Sequence, residues 1–269
     1  KHGSIQRAKY FERGKPCPVV ISVGQDPVLF MVSGNEIDYG VGEFDYAGGL
    51  KGAPIEIIEG KATGLPFPAN AEILIEGWMD PTDRKTEGPF GEWTGYYASS
   101  SRPEPVVRVE NIYYRNDPIL CCARPGRPPS DYSIAKCMVK AALIWEQVEK
   151  CGVPDVKGVW CHEAGGGRLF NIISIKQRYP GHARQAMLAA SQVHAGAYLG
   201  RYVIVVDDDI DPTNTFDVIW ALASRSDPVE SIEILRRCWS GPLDPRIHPS
   251  KKGFNSRAVI DACRPFEWM

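Results

Sequence analysis

Two carboxylates, Glu87 and Glu92, bracket a turn-forming stretch in the run EGPFGEWTGYY, residues 87–97. Glycine admits positive φ, and proline fixes φ while removing an N–H, so the run is neither regular helix nor central strand. A segment kinked in this way can bring both acids to one point. There each carboxylate disfavours ionisation of the other, and one stays protonated as a general acid. The same residues also describe a surface turn with two solvated glutamates. The other chemically suggestive runs read more plainly. Gly165-Gly166-Gly167-Arg168 lacks a Walker lysine and hydroxyl, and reads as a hairpin turn rather than a phosphate cradle. Asp207, Asp208, Asp209 and Asp211 follow an apolar run and read as turn and N-cap chemistry ahead of Mg²⁺ binding. Cys161, His162 and Glu163 do not make a nucleophile with its base. Neighbouring strand side chains face opposite ways and no third orienting group is evident, so His162 reads as a pocket-lining residue.

The elements that must position these residues change character along the chain. Residues 16–33 read as a buried strand, a turn at Gln25-Asp26-Pro27 and a short helix. Residues 38–49, rich in Gly and acids, form a polar helix start or part of a cation site. Residues 54–59, 71–77 and 105–114 alternate apolar and polar positions as half-buried strands do, with Gly and Pro between them, which predicts a small barrel or meander. Past Asn116-Asp117-Pro118, residues 119–122 read as a buried strand and 125–129 as a linker-like loop. Ser130 and Asp131 then cap a helix over about 132–150, with Ile134, Met138, Ala141, Ala142 and Trp145 on its apolar face. Strands over 156–160, 169–175 and 202–206 alternate with helices over 181–199 and 215–223, which predicts an α/β layer domain.

With 269 residues, 43% of them hydrophobic, the chain has material for two modest cores. Its 31 basic and 33 acidic residues nearly cancel, so neither a nucleic-acid nor a membrane-surface partner is indicated. Eight cysteines lie scattered without a CxxC or zinc-like cluster and read as reduced core thiols of a cytoplasmic protein. No signal peptide, membrane-spanning apolar run or internal repeat is evident.

The run 87–97, preceded by Pro68-Ala69-Asn70-Ala71-Glu72-Ile73-Leu74-Ile75-Glu76-Gly77, resembles the signature of UbiD-type decarboxylases, and the resemblance extends over essentially the whole chain. It implies a split β-barrel flavin-binding domain over 1–116, followed by an α/β layer domain over 117–269. It implies prenylated FMN as cofactor, supplied by a flavin prenyltransferase, with Mn²⁺ bridging to its phosphate and K⁺ as a second candidate ion. By position, His2 and Glu43, the latter in Gly42-Glu43-Phe44-Asp45-Tyr46-Ala47-Gly48, resemble the metal ligands, and Lys1 and His2 lie at the cofactor. Arg257 occupies the place of a basic residue near the cofactor phosphate, where a guanidinium fork suits the anion. Glu92 resembles the proton donor, and Glu87 the partner that acts through an arginine. Trp93, Tyr132 and His162 are candidates for the substrate pocket.

The activity implied is reversible, non-oxidative decarboxylation of an aromatic, heteroaromatic or α,β-unsaturated acid by a homo-oligomer. Family members are longer at both ends, and their Asn ligand and catalytic Arg precede the position of His2, so the segment is expected to be the middle of a longer enzyme. Two other readings are an FMN-binding redox protein and a non-catalytic subunit of a multi-subunit carboxylase. The paired glutamates argue against the first.

Overall fold

The computed structural model describes residues 2–97 and 100–269, with the side chains of His2 and Pro249 outside the description. Lys1 lies outside the described residues. The chain forms two compact units: Lys1–Gly34, Asp38–Phe90 and Ser99–Ala123 make the first, and Asn35–Ile37, Gly91–Ala98 and Arg124–Met269 the second.

In the first unit, α1 (His2–Phe11) leads into β1 (Cys17–Val23) and α2 (Pro27–Ser33). Asp26 caps α2 by accepting the Val28 N–H at 2.9 Å, and Pro27 opens the helix where no N–H is needed. Helix α3 (Glu43–Lys51) carries Glu43 and Asp45 in its first turn, where acids complement the helix dipole. It ends at Gly52 in the left-handed region, φ 70°. The short pair β2 (Ile57–Glu59) and β3 (Pro66–Pro68) forms its own ladder. The long strands β4 (Ile73–Glu87) and β5 (Arg102–Tyr114) pair antiparallel, with β1 antiparallel on the other side of β4. Among the described residues this is an open three-stranded meander, and no closed barrel forms.

The alternation of 71–77 conceals a buried acid. Glu76 is fully buried and accepts from the Ala62 and Thr63 N–H groups, the Thr63 and Tyr113 hydroxyls and the Asn111 amide. Gly60 lies beside it because a Cβ there would meet Glu76 Oε1 at 2.1 Å. Burial alone would raise the carboxyl's pKa, but the Asn111, Thr63 and Tyr113 donors outweigh it and hold it at about 2, against an ordinary 4.5. A depressed carboxyl stabilises the fold fully above its unfolded pKa and loses that contribution as pH falls through the folded one. The first unit is therefore expected to weaken between pH 4.5 and about 2. Glu76→Gln, which turns one acceptor into a donor facing donors, should cost about 3 kcal/mol and flatten that acid limb. Urea midpoints measured against pH check both.

The apolar run 119–122 forms no strand. Ile119 is 80% exposed, and the stretch follows Asp117 in the left-handed region at φ 53° and Pro118, which has no N–H for a ladder. Its Ile119 N–H instead donates to Glu72 Oε2 at 3.2 Å.

The second unit begins with α4 (Asp131–Lys150), started by a reciprocal capping box between Ser130 and Ser133. A five-stranded sheet follows, built from β6 (Val156–Cys161), β7 (Phe170–Ile175), β8 (Tyr202–Asp207), β9 (Ile232–Trp239) and β10 (Phe254–Asp261). Its order is β6-β7-β8-β10-β9, with β7, β8 and β10 parallel and both edge strands antiparallel. Helices α4, α5 (His182–Gln192) and α6 (His194–Ala197) group together, with α5 on β7, β8 and β10 and α4 on β6. Helix α7 (Thr215–Arg225), capped by Asn214, packs Val218 and Ala221 against Ile172, Ile204, Val206 and Ile260. Strand β8 is thus covered on both faces, which is why its sequence reads as an unbroken apolar run.

The buried face of α4 differs from the expected one. Ile134 and Met138 are exposed, whereas Lys136, Cys137, Lys140, Ala141, Ile144 and Val148 are buried. Two lysines inside an apolar stripe read as a solvated face in sequence, because lysine is almost never fully buried unless paired.

Candidate active site

Strand β4 runs to Glu87, which pairs with Arg102 in register, and the Ser101 hydroxyl donates to Gly88 O at 2.8 Å across the turn. Gly88 sits at φ 82°, as the sequence required. From Gly91 onward the run belongs to the second unit. There Gly91 bridges to Tyr97, the Glu92 N–H donates to Tyr96 O at 3.0 Å, and the Gly95 N–H returns to Glu92 O at 2.9 Å. Glu87 belongs to one unit and Glu92 to the other, so neither unit alone builds a site from both.

Around Glu92 the second unit assembles a buried charged cluster. Trp93 packs on Gly166, where an added Cβ would lie 2.2 Å from the indole and where φ is +61°. Its ring faces the Arg168 guanidinium at 5.3 Å, and the ring of Tyr198 faces the same cation at 5.3 Å. A planar, weakly hydrated guanidinium suits such a position between aromatic faces. Arg168 Nη2 donates to Glu36 Oε1 at 3.0 Å, while Lys140 Nζ lies 3.4 Å from Glu36 Oε2 and donates to Tyr198 O at 3.2 Å. One helical turn before Lys140, the Lys136 ammonium stands 5.5 Å over the Tyr132 ring. Lys140 is 0% and Lys136 3% exposed.

The electrostatics follow from this packing. Burial would raise the Glu36 carboxyl, but Lys140, Arg168 and Lys136 prevail and hold it at about 2. Burial first, then Arg168, drives Lys136 down to about 6, and Glu36 only partly offsets them. Burial likewise lowers Lys140 and raises the Tyr132 and Tyr198 hydroxyls, with Glu36 and Glu92 adding to the rise at Tyr198. The Trp93 indole N–H and the Thr94 hydroxyl are buried with no hydrogen-bond partner among the described residues. Buried donors left open in this way are unfavourable and await an acceptor.

The remaining expected site residues fall as follows. His162 caps the turn Glu163–Gly165. Its Nδ1 accepts the Ala164 N–H at 3.0 Å, which leaves Nε2 to donate to the Thr215 hydroxyl at 2.6 Å. It stands edge-on to Phe170. Cys161 beside it is fully buried, and burial pushes its thiol up to about 12, which leaves no thiolate nucleophile. The Gly165–Arg168 run is the connection of the antiparallel β6–β7 pair, a hairpin as read. Asp207 accepts from Gln177, Arg225 and Arg264, and Asp209 takes both ends of the Arg225 fork, so these acids are ion-paired.

Arg257, expected near the cofactor phosphate, lies on β10. Its guanidinium is 1% exposed and is engaged by protein acceptors: the carbonyls of Ser191, Ala197 and Trp239 and the Asn255 side chain. It fastens the ends of α5, α6 and β9. Glu43 is an exposed residue at the start of α3, and His2 opens α1 with its side chain outside the described residues. Among the described residues no three His, Cys, Asp or Glu side chains converge.

Sequence reasoning missed Glu36, Lys136, Lys140 and Arg168 as a group. The available signal was two lysines four apart, hence on one face, inside an otherwise apolar helical stretch.

Residues 1–128 match the family model described as the 3-octaprenyl-4-hydroxybenzoate carboxy-lyase Rift-related domain (UbiD), and residues 133–262 match the corresponding C-terminal domain. A phenolic acid decarboxylase from Streptomyces sp. (strain D7) is 34% identical over 257 residues, covering 94% of this chain and 52% of that protein. The UbiD-class enzyme HmfF from Pelotomaculum thermopropionicum, in complex with FMN, superposes with a TM-score of 0.85 at 29% identity, covering 99% of this chain and 57% of that one. An evolved dimeric form of the same enzyme in complex with prFMN gives a TM-score of 0.81 at 27% identity, covering 100% and 57%. The chain spans about half the length of the curated relatives it matches.

Proposed function

The chain belongs to the UbiD carboxy-lyase family, and from that premise we propose that it serves reversible, non-oxidative decarboxylation of an aromatic, heteroaromatic or α,β-unsaturated acid. The observation that carries this reading is the loop holding Glu92, whose next residue, Trp93, lies against the buried Arg168 cation. A carboxylic acid in the loop that packs on a buried cation flanked by aromatic rings has the two parts the reaction needs. Arg168 attracts and orients the substrate anion, and Glu92 supplies the proton. When the carbon–carbon bond to the carboxylate breaks, CO₂ departs and the electron pair stays on the substrate carbon. Glu92 donates its proton to that carbon and is reprotonated from water. In the reverse direction the carboxylate of Glu92 removes the proton.

The proposed cofactor is prenylated FMN, which when bound supplies a ring system able to take up that electron pair. Its support is the family and the likeness to HmfF, whose structures hold FMN and prFMN. The Trp93–Thr94 corner, with two buried donors open, fits a ligand edge rich in acceptors. Lys1, His2, Glu43 and Arg257 are the proposed cofactor contacts. For Mn²⁺, His2 and Glu43 are the proposed donors. Glu87 is proposed to tune the protonation of Glu92. Residues 1–116 are proposed as a split-barrel flavin domain, and 117–269 as the domain through which copies associate.

The test is the full-length protein loaded with prenylated flavin and Mn²⁺, offered a panel of aromatic and acrylic acids in D₂O. CO₂ release, with one deuterium at the vacated carbon, is the expected result. Substrate oxidation or reduction without CO₂ would reject the proposal.

A further inference from the structure

The sheet of the second unit is only partly covered on the face that carries α7. Ala258 packs against the α7 cluster. Tyr202 and Ile234, paired with Ala258 in register, and Phe254, four residues earlier on β10, are exposed. Together with the loop 246–251 they line a cavity of about 940 Å³, wholly within the second unit. That volume suits a small-molecule ligand. Four cations also line it: Arg236, Arg237, Arg246 and Lys251. Arg201 is a fifth, but Asp244 neutralises it. No Asp or Glu lies on the lining, and among the described residues no carboxylate pairs with the other four.

The backbone is bent to bring these charges together. Cys238 pairs with Asn255 and Leu235 with Arg257, so Arg236 and Arg237 jointly oppose Ser256 in a β-bulge. Successive residues of a regular strand face opposite ways, whereas here both arginines reach one lining. Arg237 is held in the left-handed region at φ 59°, a strained position for any residue but glycine. Charges on an edge strand also guard it against pairing with another sheet. That accounts for arginines on β9, but not for Arg246 and Lys251, which come to the same cavity from a separate loop. The Arg257 guanidinium turns to the opposite face, toward α5 and α6, so this cavity is separate from the phosphate contact proposed for it.

We propose that this cavity is a second ligand site, for a small molecule bearing several phosphate charges and a flat ring, of the nucleoside triphosphate class. Guanidinium forks match phosphate oxygens two at a time. Four uncompensated cations call for a multiply charged anion, since a singly charged one leaves most of them unpaired. The rings of Tyr202 and Phe254, with Ile234 beside them, give the flat ring an apolar surface to lie on. The assignment does not depend on the decarboxylase reading of the Glu92 loop, because the two sites share no residue.

Calorimetry of the full-length, flavin-loaded protein in magnesium-free buffer at pH 7.5 compares ATP, ADP, AMP and inorganic triphosphate. ATP is expected to bind about 10-fold more tightly than AMP, with ADP between them, because each phosphate adds charge. It should also bind about 10-fold more tightly than triphosphate, which lacks the ring. The flavin absorption should stay unchanged throughout. Phe254→Ala should bring ATP down toward the affinity of triphosphate. Arg237→Gly should weaken ATP about 10-fold while raising the urea midpoint, because glycine relieves the left-handed backbone. An arginine kept only for the fold would not show that opposition. Arg246→Gln should weaken ATP with the midpoint unchanged. Failure of ATP to bind, equal affinities for ATP and AMP, or ATP binding that survives both arginine variants would overturn the assignment. So would release of flavin as ATP binds, which would place the nucleotide at the cofactor instead.

Discussion

Glu92→Gln is expected to lower the rate of CO₂ release by about 10²- to 10⁴-fold while leaving the fold unchanged, on the proposal that Glu92 is the proton donor. Glutamine has the volume of glutamate and retains the backbone bonds of the loop, from the Glu92 N–H to Tyr96 O and from the Gly95 N–H to Glu92 O. What it removes is a transferable proton. The loss should fall on kcat rather than KM, because Arg168 and the aromatic walls that attract the anion are untouched. Glu92→Asp keeps the proton but withdraws it by one methylene, and should retain intermediate activity. Single-turnover CO₂ release and deuterium incorporation at the vacated carbon provide the measurement. A Glu92→Gln protein that turns over at the parental rate would remove Glu92 from the mechanism, and with it the pairing to Glu87.

How far the sequence discloses this site depends on whether neighbours along the chain or neighbours in space make it. The turn chemistry of Gly88, Pro89 and Gly95 is local, so the kinked loop bearing Glu92 could be read directly. Helix α4 and strand β8 were legible for the same reason: a cap at Ser130, and an unbroken apolar run over 202–206. The cluster that gives Glu92 its surroundings is the opposite case. Glu36, Lys136 and Arg168 lie far apart in sequence, and each alone looks like a solvated charge. Only the closure of the hairpin onto α4 turns three ordinary surface residue types into a buried constellation. The run 119–122 failed from the other direction. Apolar composition predicts burial only where a partner strand is in reach, and the Pro118 turn leads this stretch away from one. Strands β9 and β10 carried too little alternation to announce themselves, since Glu233, Arg236 and Arg237 interrupt the first.

The same contrast makes Arg257 the most informative structural position. Helix ends leave their last carbonyls without intrahelical donors, and strand ends do likewise. Ser191 O near the end of α5, Ala197 O at the end of α6 and Trp239 O at the end of β9 are all directed at one guanidinium held on β10. Only a planar fork of donors can meet three carbonyls from three elements at once, so lysine cannot substitute for it. Arg257→Leu fills the volume but leaves those carbonyls buried and open. The expected cost is about 4 kcal/mol, the range found when one partner of a buried charged network is removed. Arg257→Lys should recover only part of it. The phosphate role implied by family position predicts a different pattern, in which the flavin is lost from a domain that unfolds at its normal denaturant concentration. Urea unfolding of the cofactor-free protein distinguishes the two, because a phosphate ligand contributes nothing there. A large fall in midpoint supports the splice between α5, α6 and β9, and an unchanged midpoint with weakened flavin binding would assign Arg257 to the cofactor alone.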